Sequence, residues 1–449
     1  MKARYCILLC GTVVLQSCTS VGPVYDTPNA SLSSKFVEGS TQSIADVALS
    51  SWWQDLHDRQ LNQLVERGLS QNIDIQTAVE RVVAARAVLG TTGGAALTSG
   101  YVDGSVIRQG GDDISTYSEK TATATASLIL DIFGRQRRAR EQAKAQLQAS
   151  QFDVGTARLN FFTSLVGYYI DARYNQEALA LTRQTISSLQ KTLEVVQAQR
   201  EVGAAGRLEV ANAEALLEEA QAGLPALETS FFTAVYGIAA LLDEPAEPLY
   251  LSLQKGAPQP VPKRNSGDGI PADLLRNRPD INSAERDLAA ATAAIGMAEA
   301  DLYPSVTLDG SISVASTSTW SFGPTLVLPV LNQRALRATR DQKISLARQA
   351  ELSWRESVNT AVQEVQTAQT KYRRGRQTVE AGRRASAAYD RVLEISRETY
   401  EAGVTDLTDL LDAERNSASS RLTLAAATQT LTTAWLTLQI ASGKGWASE

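Results

Sequence analysis

The sequence predicts a mainly α-helical chain with a small β part, built from tandem-repeated long α-helical hairpins and four transmembrane β-strands. Three observations carry this. The chain echoes itself at an offset close to 200 residues, each half holds a proline-free periodic stretch far longer than an ordinary globular helix, and alternating polar and apolar segments precede each stretch. Composition agrees. Of 449 residues only 6% are aromatic, while Ala, Gln, Glu, Arg, Leu and Thr dominate long stretches, which favours long helices over a thick globular core.

The first element is a targeting segment over residues 1–17. Lys2 and Arg4 give it a positive start, Ile7 to Leu15 is mostly apolar, and Leu15-Gln16-Ser17-Cys18 follows with small Ser17 before the cysteine. This run resembles a bacterial lipobox. The resemblance implies that the Cys18 thiol is diacylglycerylated, that cleavage occurs before Cys18, and that the new amino group is acylated. Thr19 stands where Asp would favour inner-membrane retention in many lipoproteins, and so points to the outer membrane. Acyl chains contribute about 0.8 kcal/mol per buried methylene, so several make a lasting anchor. Cys6 and Cys10 leave with the signal, and Cys18 then has no partner for an intrachain disulfide. Losing Lys2 and Arg4 also takes the formal charge from −6 to −8. Acidic and basic residues alternate along the remaining chain without forming one basic face, which argues against nucleic acid as a partner.

Residues 18–50 read as a lipid-anchored extended segment. Val21-Gly22-Pro23-Val24-Tyr25-Asp26-Thr27-Pro28 packs two prolines and a glycine into eight residues, and a Ser-rich stretch runs on to about Leu49. Trp52-Trp53 follows, with Leu56, Leu61 and Leu64; a Trp pair by itself reads as core. V-G-P-x-Y-x-x-P just after a lipidated cysteine, with this Trp pair, resembles the lipoprotein branch of the TolC-type outer-membrane efflux factors, the RND-associated, NodT/OprM-like branch. The resemblance covers Cys18 to about Trp446.

The repeat sets the architecture. A first repeat spans 51–242, a proline- and glycine-rich linker 243–270, and a second repeat 271–446. Asn72-Ile73-Asp74-Ile75 is echoed by Arg278-Pro279-Asp280-Ile281, and Ser127 to Arg140 by Thr325 to Ala338. Glu201-Val202-Gly203 with Ala213-Glu214 is echoed by Glu401-Ala402-Gly403 with Ala413-Glu414. Each half predicts a helix, a β-hairpin, a very long helix, a turn and a further long helix. The hairpins fall at about 99–131 and 304–329, the long helices at about 134–242 and 333–442. Between Gly134 and Val202, Leu147, Phe152, Leu159, Phe162, Leu165 and Tyr169 recur at helical spacing. At 1.5 Å per residue that helix is roughly 100 Å long and must pack sideways on similar helices, as in a coiled coil.

Four segments before the long helices alternate: Tyr101 to Gln109, Thr121 to Leu128, Ser305 to Val314 and Thr319 to Leu326. Successive strand residues point to opposite faces, and each segment approaches the nine to eleven residues that cross a bilayer. Val306, Leu308, Ile312, Trp320, Phe322 and Leu326 are assigned to lipid, and Thr307, Ser311, Ser321 and Thr325 to the barrel water. Lipid tolerates no open sheet edge, so other chains must complete the barrel: two copies give eight strands and three give twelve. The family resemblance selects three. It implies a homotrimer with a shared 12-stranded barrel in the outer-membrane lipid and a long helical periplasmic tunnel.

The turns joining the long helices carry the candidate site. Around Tyr400-Glu401-Ala402-Gly403 the sequence resembles the family's periplasmic tip, where Tyr-x-x-Gly precedes two aspartates three apart. The resemblance assigns Tyr400 to the channel gate and Asp409 and Asp412 to an acidic ring. Their spacing places both carboxylates on one helix face, and copies around an axis form rings that favour cations. Glu209 and Asn212 hold the equivalent places in the first half, with Glu209 the expected acceptor for the Tyr400 hydroxyl. Thr405 departs from the best-known pattern, which has arginine there. Asp406 and Asp409 also read as simple helix-start residues. Opening is expected as a twist of the paired helices near Gly203 and Gly403.

Catalytic chemistry is not indicated. His57, the one histidine, sits in a polar stretch between Asp55 and Asp58, and no phosphate loop, zinc spacing or nucleophile elbow occurs. With Met1 gone only Met297 remains, so no methionine-lined metal path is visible. The expectation is a channel, not an enzyme, with no cofactor beyond the lipid on Cys18. It conducts passively, and the resemblance implies a periplasmic adaptor (a membrane fusion protein) and an inner-membrane pump of the RND type. The alternatives are the outer-membrane channel of a type I protein secretion system and a non-conducting periplasmic scaffold.

Overall fold

A computed structural model of the chain describes residues 20–37, 47–262 and 271–447. Residues 1–19, on which the targeting segment, Cys18 and Thr19 are read, lie outside the described residues.

A 3-10 turn, Trp52–Leu56, leads into α1 (Arg59–Gln71) and α2 (Ile73–Gly90). The Asp58 carboxylate caps α1, accepting from the N–H groups of Gln60 at 2.9 Å and Leu61 at 3.1 Å. Asn72 opens α2 likewise, its Oδ1 accepting from the Ile75 N–H at 3.1 Å. Strands β1 (Thr98–Gly111) and β2 (Ile114–Leu130) follow, then α3 (Arg135–Glu201), a tight turn, α4 (Arg207–Ala222) and α5 (Leu224–Leu242). Helix α6 (Ala246–Leu253) ends the first half. The second half repeats the order: α7 (Pro271–Asn277), α8 (Pro279–Ala300), β3 (Ser305–Val314), β4 (Ser318–Val327), α9 (Gln333–Glu401), a turn, and α10 (Leu407–Ala441). Helices α3 and α9 run for 67 and 69 residues without a break.

Two features differ from the sequence reading. The helix after the first turn divides at Gly223, because Pro225 sits in the first turn of α5 and brings no N–H to the α4 ladder. The stretch between the repeats is less irregular than its prolines suggest. Leu249 and Leu253, one helical turn apart, are both buried and hold α6 against the molecule.

The described residues within 1–31, with 78–153 and 280–358, form one compact unit. At its centre is an antiparallel sheet in the order β1-β2-β3-β4. Register places Val306 opposite Leu326, Ile312 opposite Trp320 and Gly310 opposite Phe322, so the apolar set shares one face. Trp320 is 80% exposed, Phe322 69% and Ile312 58%. The opposite face is polar and bonded to itself. Ser311 and Ser321 hydroxyls meet at 2.8 Å, and Asp309 accepts from Ser127 at 2.6 Å and Thr307 at 2.8 Å. In the same unit the Val21 N–H donates to the Phe133 carbonyl at 3.2 Å, and the Arg138 guanidinium donates to the carbonyls of Val21 and Gly22. Gly22 has φ +86°, and a Cβ there would lie 2.6 Å from the Gly296 Cα, so no other residue fits. The Tyr25 hydroxyl donates to Glu285 at 2.5 Å. The V-G-P-x-Y run is thus a clasp for the extended N-terminal segment.

The described residues within 32–77, 154–279 and 359–449 form the second unit. Its core stacks Trp53 on Phe162 at 4.7 Å and sets Trp52 edge-on to Phe162 and Trp435, both at 5.6 Å. The Trp pair is core, as its type suggests. His57 is exposed, its Nδ1 within 2.7 Å of the Asp55 carbonyl.

Candidate functional site: the turns joining the long helices

Both turns lie in the second unit and are built alike. After α3, Gly203 takes φ +79°, its N–H donating to the Arg200 carbonyl and that of Ala204 to the Gln199 carbonyl. After α9, Gly403 takes φ +70°, its N–H donating to the Tyr400 carbonyl and that of Val404 to the Thr399 carbonyl. The left-handed glycine satisfies the last helical carbonyls and reverses the chain in a few residues. Beneath the turns Leu189, Val196, Val210, Ala213, Leu407 and Leu410 pack into one buried cluster drawn from α3, α4 and α10, with Tyr400 of α9 partly buried against it.

Tyr400 is brought to the first repeat, but not to the predicted acceptor. Its hydroxyl donates to Gln199 Oε1 at 2.6 Å. Glu209 is otherwise engaged, its Oε2 accepting from the Gly206 N–H at 2.9 Å at the start of its own helix α4. Within one chain, then, the acceptor is Gln199 and Glu209 is a helix-start residue. Burial lifts the Tyr400 phenol above its usual range; the bond to Gln199 pulls the other way and the Glu209 charge adds to the rise. The hydroxyl therefore keeps its proton at neutral pH and donates. Asn212 is exposed on α4.

Asp409 and Asp412 are both exposed on one side of α10, as their spacing predicts. They are not alike. Asp412 is ion-paired with Arg415 one turn on. Asp406 starts the helix through its backbone carbonyl, which accepts from the Asp409 N–H at 3.2 Å, and its side chain makes no capping bond. The Thr405 hydroxyl, where the family pattern has arginine, meets that of Thr399 at 3.1 Å and closes the turn on itself.

A guanidinium enters from another position, and the sequence reading missed its acceptor. Arg397 of α9 lies 3.3 Å from Glu414 Oε1, and Glu414 is 2% exposed. Ser188 and Thr192 of α3 donate to the same oxygen at 2.9 and 3.0 Å. The signal was present. Glu414 follows Leu407, Leu410 and Leu411 at seven-, four- and three-residue spacing on the apolar stripe of α10, where a charge calls for partners. Ser188, Thr192, Arg397 and Tyr400 also border a groove of about 340 Å³. Among the described residues no three His, Cys, Asp or Glu side chains gather to hold a metal ion.

Comparison with known proteins gives the chain as a whole its relatives. The family model described as outer membrane efflux protein matches residues 64–243 and 270–444. The chain is 41% identical over 446 residues to nodulation protein T of Rhizobium leguminosarum bv. viciae, covering 97% of this chain and 92% of that one. It is 28% identical to the toluene efflux pump outer membrane protein TtgC of Pseudomonas putida, covering 96% and 94%. Its fold matches the open state of the Neisseria gonorrhoeae MtrE outer membrane channel with a TM-score of 0.86 at 26% identity, over 95% of this chain and 99% of that one.

Proposed function

The chain belongs to the outer membrane efflux protein family, and from that premise we propose how this member conducts, closes and assembles. It is an outer-membrane channel component of a tripartite efflux system, with a helical periplasmic part. Channels of this family form trimers and work with a periplasmic adaptor and an inner-membrane pump.

Conduction rests on the sheet. Four strands with open edges at β1 and β4, one exposed apolar face and one polar face, are one third of a 12-stranded barrel whose polar face lines water. Three copies also cover apolar helix surface. The stretch Arg207–Leu242 is apolar enough by composition to cross a membrane, yet only 28% of its most apolar window is buried within one chain. The neighbouring copy packs there. Cys18 carries the covalent lipid, and the protein is a passive channel rather than an enzyme. The pump is of the RND type, and its substrates are small organic molecules of the kind named for the toluene pump relative.

The gate is the seam between the two repeats at the turns. Tyr400 of the second repeat bonds Gln199 of the first, so parting the paired helices breaks that bond in every copy. Asp409 and Asp412 form cation-attracting rings beside it. A neutral hydrogen bond contributes about 1 kcal/mol, so three symmetric copies hold about 3 kcal/mol against opening. The test is Tyr400→Phe with Gln199→Ala, expressed in cells lacking their own channel. Assembled trimers should admit a bulky hydrophilic antibiotic that wild type excludes; equal susceptibility at equal trimer levels would show that the pair holds nothing shut.

A further inference from the structure

Glu414 is buried unevenly. Oε1 accepts from Ser188 Oγ, Thr192 Oγ1 and the Arg397 guanidinium, whereas Oε2 is buried with no hydrogen-bond partner. Its one cation is only half committed, since Arg397 is 45% exposed and also donates to Ser188 Oγ at 2.9 Å. The repeat does not impose this burial. Glu214 stands beside buried Ala213 as Glu414 stands beside buried Ala413, yet Glu214 is exposed. The second half alone sinks a charge into the cluster beneath the turns.

Two of the three donors come from across the seam. Ser188 and Thr192 belong to the first repeat, Glu414 and Arg397 to the second. Thr192 precedes Gln199 by seven residues on α3, roughly 10 Å along the same line of contact. A parting of α3 from α9 and α10 that extends from Gln199 to Thr192 breaks Tyr400–Gln199 and withdraws the hydroxyls from Glu414 together.

We infer that Glu414 is a positioning residue of the gate with two opposed effects. Its bonds to Ser188 and Thr192 register the closed seam, while its half-satisfied buried charge keeps closure weak enough to be undone. In the closed seam one oxygen has three donors and the other none; water entering an open seam supplies both. Hydration of this carboxylate therefore favours opening. An apolar side chain of similar volume has no such gain, whereas a carboxylate stripped of its hydroxyl donors has more. The inference rests on the gate reading in taking this seam as the one that parts, and its joined form as the closed one.

The signs of two substitutions separate this from a packing role. Planar-bilayer recordings on purified full-length trimers should be made in the wild-type and the Tyr400→Phe/Gln199→Ala backgrounds. Glu414→Leu should lower the open probability by about tenfold, and Ser188→Ala/Thr192→Val should raise it by about tenfold. Glu414→Gln, which keeps the shape and removes the charge, should shift it in the same direction as Leu by a smaller factor. A residue that only glues the helices would loosen the tip in all three variants. The inference is overturned if Glu414→Gln or Glu414→Leu opens the channel, or if Ser188→Ala/Thr192→Val leaves it unchanged. Should the Leu variant fail to form trimers, Gln carries the same requirement of sign. If Tyr400→Phe/Gln199→Ala behaves as wild type while the Glu414 and hydroxyl variants move in opposite directions, the Tyr400 latch fails and this inference stands.

Discussion

Tyr400 shows what a residue pattern reveals and what it hides. Tyr-x-x-Gly ahead of two aspartates identified the turn, and Gly403 takes the left-handed conformation that only such a residue adopts without strain. The partner was hidden because the matching first-half positions, Glu209 and Asn212, lie beyond the turn. Tyr400 instead faces back to Gln199 on the last turns of α3. Glu209 is turned instead to the Gly206 N–H at the start of its own helix. The two aspartates, equal by spacing, differ by one contact that spacing cannot show. Arg415 pairs with Asp412 and partly offsets its charge, whereas Asp409 is exposed beside the helix start. Asp409→Ala should therefore reduce cation selectivity more than Asp412→Ala, read as the larger shift in reversal potential across a salt gradient. Equal shifts, or a larger one for Asp412, would show that the Arg415 pair does not quiet Asp412, and no shift for Asp409→Ala would remove Asp409 from the pore.

At the scale of elements, periodicity was enough wherever one face is buried or one face is wet. Helices α3 and α9 ran to their predicted ends because Gly203 and Gly403 stop them, and the even and odd residues of β3 and β4 separated by face as alternation requires. Strand β2 extends back to Ile114, well before the regular run at Thr121, because its partner β1 supplies a ladder that side-chain pattern does not announce. Helix α6 was hidden by its prolines, which read as irregular chain although Leu249 and Leu253 bury together. The barrel assignment is tested by single cysteines labelled with a membrane-impermeant thiol reagent. Ser311, Ser321 and Thr325 should react, and Ile312, Trp320 and Phe322 should stay protected in lipid; equal labelling of both sets would mean a soluble hairpin. For the N-terminal segment, Cys18→Ser should abolish acyl labelling and leave an unprocessed or mislocalised precursor. Lipid-free maturation of the wild-type chain would refute the anchor.

For the whole molecule, duplication explains why so much was legible and also where it misled. Two copies of one plan give two turns with the same backbone bonds, and two hairpins that meet as one sheet through β2 and β3. Equivalent positions have nonetheless diverged in what surrounds them. Glu214 meets solvent and Glu414 meets Ser188 and Thr192, so the two halves differ at the seam between copies of the plan. In the proposed gate a trimer repeats that seam around one axis, so small ties add by symmetry. Single-channel recording of purified full-length trimers in a planar bilayer tests this directly. The wild type should pass a small, cation-selective current, and Tyr400→Phe/Gln199→Ala should enlarge it through the same pore. Properly assembled trimers that pass no current in either form would contradict a channel closed at its helix turns and leave a scaffold.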